Sequence, residues 1–198
     1  MMPCAVYIHI PFCVQKCAYC DFASFPGAEA EMRAAYVDEL IGEIRAFGQQ
    51  ERRACSSIFF GGGTPTLLAA EQLEEILRAV RQSFAVAPDA EITVEANPGT
   101  VDERKLRALR RAGVNRISFG AQSADDGLLR TLGRIHRWQD AVEAVHLARE
   151  CGFEDVSLDL MYALPGQTMA QWRDTLQKAA ALPITHISCY SWFLSRCV

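Results

Sequence analysis

Tyr7–Phe22 reads YIHIPFCVQKCAYCDF, and its cysteines Cys13, Cys17 and Cys20 form a C-x3-C-x2-C pattern directly after an apolar, β-branched run. Thiolates are soft ligands that suit iron, and iron–sulfur clusters are held by cysteine. Such close spacings let one loop wrap a single face of a cluster. A cubane cluster has one more iron than this loop has cysteines, so one iron would stay open to another ligand. The same logic separates catalytic from structural zinc sites. Pro11 ends the preceding strand, because proline cannot continue a ladder. On spacing alone a cluster, part of a zinc site and reduced core cysteines all remain open. Structural zinc takes a fourth ligand; His9 and Cys55 are the candidates, and neither stands at a usual zinc spacing. A Cys13–Cys17 disulfide would close a short, strained loop and leave an odd cysteine.

Away from this loop the chain alternates. Strands are read at Ala5–Ile10, Ser57–Phe60, Glu91–Glu95, Arg116–Phe119, Val156–Leu160 and His186–Tyr190. Helices are read over Glu29–Phe47, Ala70–Phe84, Asp102–Ala112, Asp125–Leu132, Gln139–Cys151 and Met169–Ala181, from apolar residues at i, i+4 and i+7. Asp102 suits a helix N-cap, and Gly113 and Gly152 suit helix ends. Repeated β/α units imply an α/β fold with a parallel sheet. With right-handed crossovers the units curl into a partial (β/α)6 barrel with helices outside. A doubly wound open sheet is the alternative that the pattern alone leaves. No linker or low-complexity tract divides residues 1–198, so one domain is expected.

Function in β/α barrels sits at the C-terminal ends of the strands. The unusual stretches fall there in turn: the cysteine loop, Gly61-Gly62-Gly63-Thr64-Pro65-Thr66, Glu95-Ala96-Asn97-Pro98, Gly120-Ala121-Gln122-Ser123, Asp159 leading to Leu164-Pro165-Gly166, and Tyr190-Ser191. The glycine run lacks the lysine of a phosphate loop, which argues against a nucleoside triphosphate. It fits either close backbone approach to a ligand or a tight turn. A carboxylate at a strand end, such as Glu95, needs a partner. Arg134 has the fork that binds a carboxylate.

The chain has 198 residues, half of them apolar and 22% charged, as in an ordinary globular protein. A net charge of −4 argues against general nucleic-acid binding. No run approaches a membrane span, and no secretory signal is read. Eight cysteines without such a signal suggest a reducing cytoplasm. Cys4, Cys55, Cys151, Cys189 and Cys197 stand in or beside apolar runs and are read as small core residues.

The C-x3-C-x2-C motif with Tyr19 before its last cysteine resembles the radical S-adenosylmethionine (radical SAM) superfamily. YIHIPFC followed by CDF resembles its coproporphyrinogen III oxidase-like branch. Phe22 stands where the anaerobic oxidase carries a further cysteine. EANPGT (Glu95–Thr100), GRIH (Gly133–His136) and DLMYALPGQT (Asp159–Thr168) favour the heme chaperones of the branch, the HemW type, over the oxidase. The resemblance implies a [4Fe–4S] cluster on Cys13, Cys17 and Cys20, with SAM chelating the open iron through its amino and carboxylate groups. Electron transfer would then cleave SAM to a 5′-deoxyadenosyl radical. It further implies SAM contacts from Gly63 and Thr64 at the methionine end, Glu95 at the ammonium or a nearby arginine, Arg134 at a carboxylate, and Gln122 and Asp159 at the ribose hydroxyls. Tyr7 would pack beside cluster and cofactor. His9 and His136 are given no catalytic role.

The implied partners are SAM, heme or a porphyrinogen, a hemoprotein client, an electron donor and a second copy of the chain. The implied function is heme delivery; the alternative is an oxygen-independent coproporphyrinogen III oxidase making protoporphyrinogen IX. The resemblance runs from about Tyr7 to Ser191. Family members continue into a C-terminal domain, whereas the stretch from Trp192 reads as a truncation or a frameshift. A fragment that assembles a weak cluster and performs neither function is the third reading, with poor solubility expected.

Overall fold

A computed structural model describes residues 3–50 and 53–192. The described residues build one six-stranded sheet. Its strands are β1 (Cys4–Ile10), β2 (Ala54–Gly62), β3 (Ala85–Ala96), β4 (Arg116–Gln122), β5 (Asp155–Tyr162) and β6 (His186–Ser191). Strand order follows chain order, and every neighbouring pair is parallel. A doubly wound sheet would reverse its order at a switch point, and none occurs in this sheet. Sequential right-handed crossovers put all helices on one face and curl the sheet into a part-barrel. The helices are α1 (Ala30–Gln50), α2 (Ala70–Ser83), α3 (Glu103–Ala112), α4 (Asp126–Thr131), α5 (Trp138–Glu150) and α6 (Met169–Ala180).

The two faces of the sheet differ in chemistry. Ile8, Ile10, Ile58, Phe60, Val94, Ile117, Phe119, Val156, Leu158 and Leu160 are almost wholly buried in the main apolar core. Each such side chain contributes about 1.5–3 kcal/mol by leaving water. Alternate positions carry Tyr7, His9, Thr93, Glu95, Arg116, Ser118, Ser157 and Asp159, and successive strand residues face opposite ways. The inner face is therefore a polar lumen. Parallel strands covered on both faces read as continuous apolar runs; these strands alternate because one face lines that lumen.

Local signals set the helix ends. Asp102 accepts from Lys105 N at 2.7 Å, and Gly113, at φ +99°, closes α3. Asp125 caps α4 by accepting from Gly127 N and Leu128 N. Thr168 accepts from Gln171 N and caps α6.

Three sequence expectations are corrected. Strand β3 starts at Ala85, six residues before Glu91. Its first residues pair with Ala54 and Cys55, then pairing skips to Ser57–Glu91, so Pro88 falls in the unpaired bulge and the ladder tolerates it. Strand β2 likewise runs past Phe60 to Gly62. Cys55 and Cys151 are buried as expected and Cys4 partly so, but Cys189 is exposed on the last strand of the sheet. Cys197 lies outside the described residues, as does the tail beyond Trp192. Among the described residues, no helix is long and apolar enough to cross a membrane.

Candidate functional site

The cysteine loop leaves β1 at Pro11 and is fastened to two neighbouring rim loops by backbone bonds. Gly63 N donates to Ile10 O at 2.8 Å and Thr64 N to Phe12 O at 2.7 Å. On the other side, Ala18 N donates to Leu132 O at 3.1 Å. A two-residue parallel ladder, Phe12–Cys13 with Phe25–Pro26, closes the base of the loop. The glycines at the end of β2 and just past it have protein reasons for being glycines. Gly62 has φ +111°, and a Cβ there would stand 2.6 Å from the His9 ring. A Cβ on Gly63 would stand 2.6 Å from Phe12 O and 3.0 Å from Cys13 Sγ. These close approaches seat the cysteine loop on the rim.

Cys13, Cys17 and Cys20 are free thiols, partly exposed, and all line one cavity of about 320 Å³. Gly63, Glu95, Gln122, Arg134 and Asp159 line the same cavity. Five of the seven predicted SAM contacts therefore share a wall with the cysteines. Thr64 and Tyr7 stand outside that lining. Thr64 is buried behind Cys13 and donates to its sulfur at 3.8 Å. Tyr7 stacks on Phe59 at 6.0 Å between ring centroids, and its hydroxyl lies 3.3 Å from His9 Nδ1. The Cys17 sulfur accepts from Arg134 Nη1 at 3.5 Å. Burial pushes the Cys13 thiol up, while the Thr64 and Ser24 hydroxyls act the other way.

The donor set fits a cluster. Three unpaired soft ligands open into a cavity, and an N–H and an O–H already point at two of the sulfurs. Such donors favour the thiolate form that binds metal. Among the described residues, no three His, Cys, Asp or Glu side chains meet closely enough to hold a single metal ion.

The cavity floor is acidic. Glu95 accepts from Gly62 N at 3.2 Å. Burial first, then the nearby Asp159 charge, raises its carboxyl to about 7. Burial also raises Asp159, opposed by bonds from Ser118 and Ser188 and by the charge of Arg116. Below it, Ser118 Oγ lies 3.1 Å from Asp159 Oδ2 and 2.6 Å from Ser157 Oγ, while Arg116 Nη2 donates to Ser157 Oγ at 3.3 Å. A carboxylate only accepts, so the Ser118 proton goes to Asp159 and Ser157 donates to Ser118. A floor of two close carboxyls suits a cationic ligand group.

The histidines are occupied structurally. His9 Nε2 lies 2.8 Å from Ala23 O, and His136 Nε2 lies 3.2 Å from Ala121 O. Burial and the Arg134 charge lower His136 to about 4, so it is neutral near pH 7. Sequence reasoning missed Asn97 and Ser118 as site residues, although both line the cavity. The local signals for Asn97 were its place at a strand end before Pro98 and within the EANPGT stretch.

A sequential part-barrel with a three-cysteine loop after its first strand defines a class, and the family model for the radical SAM superfamily matches residues 7–179. The chain belongs to that superfamily, whose cofactors are a [4Fe–4S] cluster and SAM. It is 43% identical over 201 residues to the heme chaperone HemW of Synechocystis sp., covering 98% of this chain and 48% of that protein. It is 43% identical over 189 residues to HemW of Escherichia coli, covering 95% of this chain and 50% of that protein. Among solved structures it resembles coproporphyrinogen III oxidase, HemN, of Escherichia coli, a radical SAM enzyme, with TM-score 0.90 and 31% identity over 96% of this chain and 44% of that one. The chain spans about half the length of the curated relatives it matches.

Proposed function

We propose that this chain is the radical SAM core of a HemW-type heme chaperone, with residues 1–198 forming one core domain. The observation that carries the reading is the shared cavity, where three free thiols meet an acidic floor and the Arg134 guanidinium. Cys13, Cys17 and Cys20 hold the [4Fe–4S] cluster in this reading. When bound, cluster and SAM together supply one-electron chemistry. The protein's own residues bind and orient. Glu95 and Asp159 would supply an acidic floor for the SAM cation and ribose. Gln122 would hydrogen-bond the ribose, Arg134 would meet a carboxylate, and Gly63 would offer backbone at close range. Thr64 acts from behind Cys13, and Tyr7 from the lumen beside Glu95.

Heme is the cargo, and a hemoprotein client, an electron donor and a second copy of the chain are the partners this reading calls for. Free thiols suit a reducing cytoplasm. Similarity to HemW at 43% identity supports the chaperone. The second reading, oxidative decarboxylation of coproporphyrinogen III in porphyrin biosynthesis, is favoured by the likeness to HemN. Phe22, in place of the oxidase's further cysteine, weighs against it. Anaerobic reconstitution with iron and sulfide tests the site: a reduced-cluster EPR signal that shifts on adding SAM is expected, and a cluster indifferent to SAM refutes the cofactor assignment. Heme titration and porphyrinogen product analysis then separate the readings. Heme retention without decarboxylation is expected, and decarboxylated product overturns the chaperone.

A further inference from the structure

Two of the three cysteine sulfurs are joined by an unbroken belt of side-chain hydrogen bonds. Arg134 Nη1 donates to Cys17 Sγ at 3.5 Å, and Arg134 Nη2 donates to Asn97 Oδ1. Asn97 Nδ2 donates to Thr64 Oγ1 at 2.7 Å, and Thr64 Oγ1 donates to Cys13 Sγ at 3.8 Å. Arg134 is also anchored to Gly120 O at 2.7 Å. Thr64 is only 2% exposed, so water does not compete for its hydroxyl.

The direction of the belt is fixed by chemistry. A guanidinium has no acceptor, so the Asn97 amide must turn its oxygen to Arg134 and its NH2 to Thr64. Receiving that N–H, the Thr64 hydroxyl sends its own proton to the Cys13 sulfur. An amide accepts at one end and donates at the other without titrating, which is what a link from a guanidinium to a hydroxyl requires.

We propose that Asn97 is a positioning residue that sets the polarity of this belt, so that a proton points at each of two cysteine sulfurs and raises the reduction potential of the cluster they hold. The physical reason is that N–H and O–H dipoles aimed at thiolate sulfur stabilise the more negative, reduced state. Among the described residues no side-chain bond of this kind reaches Cys20, so the tuning is asymmetric among the three ligands. The inference rests on the proposal that these cysteines hold the cluster.

Asn97→Asp is the isosteric test. A carboxylate accepts from both neighbours, so the Thr64 proton turns to Asp and away from Cys13. Thr64→Val removes the hydroxyl, and Thr64→Ser restores it. Each protein is reconstituted in the full chain, its iron and acid-labile sulfide are counted, and its midpoint is measured by EPR-monitored redox titration without SAM. Loss of one charge-assisted bond lowers the ratio of reduced to oxidised cluster at fixed potential on the order of tenfold, or about 59 mV for a one-electron couple. Asn97→Asp and Thr64→Val are expected to shift down by that order, with Thr64→Ser at the wild-type value. Unchanged midpoints in Asn97→Asp and Thr64→Val, with full iron content, overturn the belt while leaving the cluster assignment intact. Iron retained after replacing the three cysteines with alanine overturns the assignment and the belt with it.

Discussion

Glu95→Gln in the ligand-free chain is the sharpest test of the acidic floor. Glu95 has an ordinary value of 4.5 and is raised to about 7 in the folded chain, mainly by burial and secondly by Asp159. Because the fold holds the proton more tightly than the unfolded chain does, this group contributes stability that is fully present below pH 4.5. That stability is lost as pH rises to about 7, with no further change above. Each pH unit in the gap is worth about 1.4 kcal/mol, so the whole gap is on the order of 3 kcal/mol. Glu95 keeps some surface toward the cavity, and solvent there trims the figure to about 2 kcal/mol. Glutamine keeps the acceptor for Gly62 N and never ionises. Urea unfolding of wild type and variant is compared from pH 4.5 to 8. The two are expected to coincide at the acid end and to separate by about 2 kcal/mol, variant more stable, by pH 8. A separation that does not grow with pH, or a variant less stable at pH 8, would refute the reading that burial and Asp159 hold the proton on Glu95.

Further outcomes follow from the same geometry. A cation seated over Glu95 draws its proton off, so SAM binding to the reconstituted chain should release protons near pH 6.5 and tighten as pH rises to about 7. Calorimetry in buffers of different ionisation enthalpy reads this, and Glu95→Gln should abolish it. Replacing Cys13, Cys17 or Cys20 singly with alanine should lower reconstituted iron, whereas Cys55→Ala and Cys151→Ala should not; iron and sulfide analysis decides. Gly62→Ala forces a side chain into φ +111° and against the His9 ring. It should cost about 1–3 kcal/mol in urea unfolding. Asp102→Ala removes the acceptor for Lys105 N and should cost about 1 kcal/mol without changing iron content.

The strand and helix sequence was legible because each β/α unit carries its own local signals. Val156–Leu160 is short and alternates apolar with polar residues, Asp102 and Gly113 punctuate α3, and the cysteine spacing marks the loop after β1. The strand-end rule then collected Glu95, Gln122 and Asp159, and the GRIH stretch added Arg134, onto one cavity. The early start of β3 was hidden because Pro88 speaks against a strand locally, and only the bulge opposite β2 makes it tolerable. Alternation in β4 and β5 was visible, but it could not say whether Ser118 and Ser157 faced solvent or a lumen; both are buried and bonded to each other.

Asn97 marks where local reading stops. Its amide is satisfied by Arg134 and Thr64, which lie 37 and 33 positions away. Each belongs to a different rim loop, and only the curl of the sheet brings the three loops together. In sequence, Asn97 before Pro98 is a turn residue among many. A hydrophobic period reports which side of a strand is covered, but it contains no distance between loops at the rim. That distance is set by strand order and by the curl that one-sided helix packing imposes. It follows that a variant which loosens the curl without touching the rim, such as Phe119→Ala beneath Gly120, should weaken the belt indirectly. Phe119 is fully buried and removing its ring costs about 3–5 kcal/mol. Gly120 O is the anchor of Arg134, and Gln122 follows at φ +65° on the same strand. If the belt depends on the curl, Phe119→Ala should lower the cluster midpoint at pH 7 as well as stability. Lost stability with an unmoved midpoint would instead mean that the rim loops hold one another in place without the sheet beneath them.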